Sequence, residues 1–272
     1  MVKQCSWGPR VSGTDAQIKC RDFIYDELKK TCQNVRLQAF DHVWSQNKKN
    51  LHFWNVIGDQ NWENAKVRVV LLTHWDSRPT ADQESDPQKR KQPILGADDG
   101  ASGVAVLLEL ARVLKVEPAK IGIEYLFVDG EDLGPGSSEM YLGAIKYAQN
   151  LPSPKPDYGI LLDMIGNKDV RVPMEPSSMN LAPSVETAFY EFAKKIGMQE
   201  TFPQVDGPAI EDDHLAINNG GVPCIDLIDF DYAPWHTLSD TVDKCSPESL
   251  WKIGYTLQKW VRQDEPFQSS KN

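Results

Sequence analysis

The stretch Val69-Val-Leu-Leu-Thr-His-Trp-Asp76 decides the fold. Four consecutive apolar residues, Val69 to Leu72, suit a strand buried on both faces, and a His-x-Asp pair stands where that run stops. Downstream come a long polar stretch from Ser77 to Leu95, then Gly100 and a helix with Val104, Leu107, Leu108, Ala111 and Leu114 on one face. Apolar strands follow at 123–128 and 159–165, then a helix at 184–196 and a strand at 222–228. The last helix opens with Ser246 as N-cap and Pro247 in its first turn. Upstream, Thr14 to Gln17 reads as a capping box for a helix over 15–30, and 35–44 with 51–57 as a hairpin or meander. This alternation predicts an α/β fold, a single domain over 1–272 with a central mixed, mostly parallel sheet flanked by helices.

Composition agrees and narrows the function. The chain has 272 residues, 40% of them hydrophobic and 25% charged, enough for one large α/β domain. Its 29 Lys and Arg against 39 Asp and Glu give a net charge of −10, which disfavours nucleic acid as a partner. The five cysteines are widely spaced and read as buried or idle thiols, with Cys20 and Cys32 the one candidate pair. No apolar run approaches the roughly 20 residues of a membrane span, and Met-Val-Lys-Gln-Cys has no signal-peptide core. The expectation is a soluble monomer of unassigned compartment, secreted or periplasmic if a leader has been removed.

Position makes the acidic residues informative. His74 and Asp76 follow the first central strand, Glu131 and Asp132 the second, Asp163 ends the third, and His236 lies after the fourth. The carboxyl ends of parallel strands share one edge, where ligands bind, so these groups should converge there. Converging carboxylates repel unless a cation or shared protons offset them. A divalent metal is the economical answer, and two carboxylates with one imidazole form a catalytic zinc arrangement. Taken singly the pieces are weaker: Asp99 before Gly100 could be a helix N-cap, and Glu131-Asp132 an ordinary turn.

At these residues the sequence resembles the zinc-dependent glutaminyl cyclases of the animal and bacterial type, which share their fold with the zinc aminopeptidases. The resemblance is carried by Gly8 to Thr14, Thr73 to Pro79, Gly96 to Arg112, Phe127 to Asp132, Leu161 to Gly166, Ile210 to His214 and Pro234 to Thr237. It implies one zinc bound by Asp99, Asp132 and His236, with Glu131 as proton carrier and Asp163 and Asp212 as catalytic acidic neighbours. Trp235 and Ile210 would contact the substrate, although Trp235 reads equally well as a core aromatic. The implied reaction releases ammonia as the N-terminal glutamine of a peptide or protein closes to pyroglutamate, with no Ser or Cys nucleophile. The alternative is a two-zinc aminopeptidase, with His74 and Asp163 holding the second ion.

Two departures stand out. Asp132 occupies a position where the animal enzymes have Glu, which places this chain nearer the bacterial branch. The segment after it, Leu-Gly-Pro-Gly-Ser-Ser-Glu-Met-Tyr, lacks the tryptophan of the animal pocket wall. His214 is expected to be structural, and His42 and His52 show no acidic partners in sequence. The stretch from Ser77 to Leu95 reads as a binding loop or lid, or equally as a solvated insertion.

Overall fold

The structure is a computed structural model that describes residues 1–263 and 266. Six strands form one sheet: β1 (Arg36–Val43), β2 (Asn50–Gln60), β3 (Arg68–His74), β4 (Gly122–Val128), β5 (Tyr158–Asp163) and β6 (Cys224–Ile228), in the order β1-β2-β4-β3-β5-β6. β4, β3, β5 and β6 run parallel, while β1 and β2 form an antiparallel pair added beside β4. The expected mixed, mostly parallel sheet is therefore present, with β3 at its centre.

Side-chain alternation divides the core into two layers. Val69 and Leu71 of β3, Ile123, Tyr125 and Phe127 of β4, and Ile160 and Leu162 of β5 face one layer. Helices α2 (Asp15–Thr31), α3 (Ala101–Val116), α6 (Pro183–Lys195) and α8 (Pro247–Val261) cover it through Ile24, Leu107, Phe189 and Trp260. Val70, Leu72, Leu126, Val128 and Leu161 face the other layer, closed by α4 (Leu142–Ala148) and α7 (Asp213–Asn219) through Tyr147 and Ile217. Both faces of β3 are thus dry, as its unbroken apolar run requires.

The helix ends follow their capping residues. Thr14 accepts the Gln17 amide and Ser246 accepts that of Glu248. The Gln17 side chain, however, reaches the Gly13 amide rather than that of Thr14. The reading located neither α1 (Val2–Cys5), α4 and α7 nor α5 (Pro176–Leu181). Each is at most two turns long, too short for a 3.6-residue period to emerge. All five cysteines are free, so Cys20 and Cys32 do not pair, and burial pushes each of these two thiols up to about 12. Among the described residues, no helix is long and apolar enough to cross a membrane.

One buried carboxylate pair lies beyond the sheet edge. Glu175 caps α5, accepting the amides of Ser177 and Ser178, and also holds the Ile210 amide at 3.1 Å. Burial alone would raise its carboxyl, but His214 and these three amides bring it down to about 2. Glu186, fully buried on α6 with one oxygen unpartnered, is pushed up to about 8 by burial. Since its folded value lies above the ordinary 4.5, Glu186 binds a proton more readily when folded, and stability falls as pH rises from about 4.5 through 8. Replacement Glu186→Gln should raise the melting temperature at pH 8 and flatten its decline between pH 5 and 8. An unchanged slope in thermal melts would refute this assignment.

Candidate metal centre and active site

The four parallel strands deliver their following segments to one edge. His74 ends β3, and Trp75 continues by donating its amide to Val128 of β4. Asp76 then turns back and accepts the amides of Glu131 and Asp132 at 3.3 and 3.1 Å, fixing the acidic pair after β4. Asp163 ends β5, and the segment after β6 brings in Trp235 and His236.

Asp99 is not a helix cap. Gly100 occupies the N-cap of α3 at φ 96°, where a Cβ would lie 2.6 Å from the Asp76 carbonyl, so glycine is required. Asp240 accepts the amides of Asp98 and Asp99 at 2.9 and 3.3 Å. Asp98 turns away to accept the Gly166 amide at 2.6 Å. Asp99 faces the site instead.

Asp99, Asp132 and His236 offer one donor atom each within 4.8 Å of one another. His236 Nε2 is 3.6 Å from Asp99 Oδ2 and 3.6 Å from Asp132 Oδ1. Oδ2 of Asp99 and Oδ2 of Asp132 are buried without any hydrogen-bond partner. Orphaned carboxylate oxygens beside an imidazole fit a zinc ion, which takes oxygen and nitrogen ligands together. The shorter Asp132 side chain still reaches this group.

A second triad shares Asp99. His74 Nε2 lies 3.1 Å from Asp99 Oδ1 and 3.1 Å from Asp163 Oδ1, while its Nδ1 lies 3.5 Å from Asp76. Burial would lower the His74 imidazole, but Asp163, Asp76 and Asp99 outweigh it and raise the value well above the ordinary one.

Glu131, Asp132, Asp99, Asp163, Asp212 and His236 all line one cavity of about 330 Å³. Burial, then Asp132 and the neighbouring Asp212 and Asp213, push the Glu131 carboxyl well above the carboxylate range, with His74 pulling the other way. Asp212 also caps α7 and is raised by burial and by Asp163. Ile210 and Trp235 wall the cavity. The Trp235 ring stacks on His236 at 4.0 Å and meets Phe230 at 4.9 Å. Where the animal-type tryptophan is missing, Met140 and Tyr141 form the wall, and the Tyr141 hydroxyl donates to the Glu211 carbonyl at 2.6 Å.

The remaining histidines lie apart from the cavity. His214 is fully buried between Glu175 at 3.4 Å and Asp226 at 3.7 Å. His42 and His52 do have acidic partners: Glu139 at 3.1 Å, and Asp41 at 2.5 Å across the β1–β2 register. Such cross-strand pairing is invisible until the register is known.

Sequence reasoning missed Arg10, Arg78, Asp82 and Asp240. Arg10 is fully buried and donates to the carbonyls of Trp75, Asp76, Leu95 and Gly96, while its amide donates to Ser77. It thus fastens both ends of the stretch read as a lid or insertion. That stretch is a braced scaffold: Ala81 donates to Gln92, and Ile94 to Arg78, through the backbone. A charge count would have flagged Arg78, the first cation after the His-x-Asp segment, where acids converge.

Fold and site together define a zinc exopeptidase-type α/β protein. The chain belongs to peptidase family M28, whose profile matches residues 55–261. A zinc-dependent exopeptidase from Parabacteroides distasonis superposes with a TM-score of 0.92 at 33% identity, over 96% of this chain and 95% of that one. Glutaminyl cyclase from Bacteroides thetaiotaomicron, bound to N-acetylhistamine, superposes with a TM-score of 0.92 at 32% identity, over 97% and 95%. Glutaminyl-peptide cyclotransferase of Drosophila melanogaster is 29% identical over 89% of this chain and 74% of its own length. The resemblance read from the sequence and the expected fold both hold.

Removing Arg10's side chain strands four carbonyls at the back of the site. Arg10→Met should cost about 3 kcal/mol or more, since each bond from a charged donor contributes about 1.5–3 kcal/mol. Urea unfolding measures this; a loss below 1 kcal/mol, roughly one neutral hydrogen bond, would contradict the role.

Proposed function

We propose that the chain works as one catalytic domain, a glutaminyl-peptide cyclotransferase that closes the N-terminal glutamine of peptides or proteins to pyroglutamate with release of ammonia, at a single zinc held by Asp99, Asp132 and His236. One observation carries the reading: Asp99, Asp132 and His236 each offer a donor atom within 4.8 Å of one another in the same cavity as Glu131, and each of the two carboxylates keeps one buried oxygen unpartnered. Likeness to glutaminyl cyclases across nearly the whole chain supports it. When bound, zinc supplies Lewis acidity toward the carboxamide oxygen.

The protein's own groups do the rest. The cavity of about 330 Å³ admits one side chain and holds it bent, so that the tethered α-amine meets its own carboxamide carbon. Trp235 and Ile210 exclude water from it. Glu131 accepts the amine proton and returns it to the departing nitrogen, and its raised affinity for protons suits that shuttle. Asp212 is one of the acidic neighbours that keep that affinity high, and Asp163 lines the same cavity as a further catalytic acid.

The aminopeptidase reading draws on the second triad of His74, Asp99 and Asp163. The single-zinc reading is favoured because His74 Nε2 lies 3.1 Å from oxygens of both Asp99 and Asp163, whereas the Asp99 oxygen beside His236 and the second oxygen of Asp132 have no partner.

Incubation with a peptide beginning in Gln should give a product lighter by one ammonia and of unchanged length, read by mass spectrometry. Release of a free amino acid would instead establish the peptidase. Metal analysis should find about one zinc per chain, and chelation should abolish turnover. Glu131→Gln should keep its zinc and lose about 10²–10⁴-fold in turnover. The rate should climb toward mildly alkaline pH, because the attacking amine must be neutral and titrates near about 8. On the acid side it should fall once Glu131 is protonated, at a pH above the ordinary carboxylate range.

A further inference from the structure

Residues 82–84 grip residues 236–238 at three points. Asp82 Oδ1 lies 3.0 Å from Nδ1 of His236, the Gln83 amide donates to the His236 carbonyl at 3.1 Å, and the Leu238 amide donates to Glu84 at 3.1 Å. His236 needs such a hold. Its φ of 52° lies in the left-handed region that residues with a Cβ avoid.

Arg78 extends the contact to the other side of the centre. Its Nε is 2.8 Å from Asp82 Oδ2 and its Nη1 is 2.5 Å from Asp132 Oδ1, with the residue only 5% exposed. Asp132 follows β4 and His236 follows β6, yet both are tied to this one segment after β3, whose ends Arg10 pins. The chain Asp132, Arg78, Asp82, His236 closes on itself, since His236 Nε2 returns to within 3.6 Å of Asp132.

We propose that Arg78 and Asp82 are positioning residues, a clasp that sets two metal ligands in place before the ion arrives. Asp82 takes the proton-bearing Nδ1 of His236, which leaves the Nε2 lone pair directed at Asp99 and Asp132. Arg78 offsets the Asp132 charge while no ion is bound and keeps that carboxylate from swinging away. The segment read as a lid therefore builds the metal centre rather than covering it. This inference rests on the metal reading of the Asp99, Asp132 and His236 group, not on the cyclisation.

The test measures zinc affinity of the full chain by competition with a chromogenic chelator, alongside melting temperatures of the metal-free and zinc-loaded protein. Asp82→Ala should weaken zinc binding 10–100-fold, the usual effect of losing a ligand's hydrogen-bonding partner. Asp82→Asn retains an acceptor oxygen without the charge and should fall between. Arg78→Met should lower the melting temperature of the metal-free protein more than that of the loaded one, because the ion then offsets Asp132 in its place. Zinc affinity within twofold of the unsubstituted protein for both Asp82 variants overturns the clasp, and Asp82→Asn decides alone should Asp82→Ala not fold. Equal melting losses with and without zinc remove Arg78 from it. Weakened zinc binding in the variants, with no pyroglutamate made by the unsubstituted zinc-loaded protein, would sink the cyclase and leave the clasp; unaltered zinc affinity in the variants, with normal pyroglutamate formation by the unsubstituted protein, does the reverse.

Discussion

Mutual repulsion among carboxylates gathered at one sheet edge is the constraint on which this structure depends. Asp99, Glu131, Asp132, Asp163 and Asp212 line a single small cavity, where burial strengthens every like-charge interaction. The protein answers in two ways. Proton affinity rises, on Glu131 and on Asp132, whose carboxyl is pushed up to about 7 by burial and by Asp99. Cationic or hydrogen-bonding side chains are inserted, Arg78 against Asp132 and His74 between Asp99 and Asp163. What is left is one buried, unpartnered oxygen on each of Asp99 and Asp132, that of Asp99 facing the His236 imidazole.

That geometry explains why the scaffold is so heavily tied at its back. Groups that are to hold an ion must be fixed to within a fraction of an ångström, and the candidates Asp99, Asp132 and His236 come from three different segments. Asp240 fixes the backbone of Asp99, Asp76 fixes that of Asp132, and residues 82–84 fix His236. Arg10, from the chain's start, anchors the segment supplying two of those braces. Buried arginine and aspartate are costly to desolvate, and each is matched here by several bonds to backbone.

Much of the architecture was legible in the sequence because it rests on local periodicity. The runs at Val69–Leu72 and 123–128 announced buried parallel strands, and the capping residues Thr14 and Ser246 marked helix starts that the structure places where they were read. The short helices α4, α5 and α7 were not legible, since one or two turns carry no period. How the stretch from Ser77 to Leu95 is tied to the site was not legible for a related reason. Its polarity suggests exposure, but its first residues are buried or half-buried and bonded to partners more than 50 positions away.

By itself the sequence determined which residue types could meet: parallel strands force the ends of β3, β4, β5 and β6 to one edge, and with them His74, Glu131, Asp132, Asp163 and the segment bearing His236. Only the tertiary structure decided what each group does there. Whether Asp98 or Asp99 faces the cavity depends on the turn that Gly100 permits, and which carboxylate oxygen goes unpartnered depends on where Arg78 and His74 arrive. The reason is physical: periodicity fixes a side chain's face, but a hydrogen-bond partner is fixed by distances of about 3 Å between segments remote in the chain.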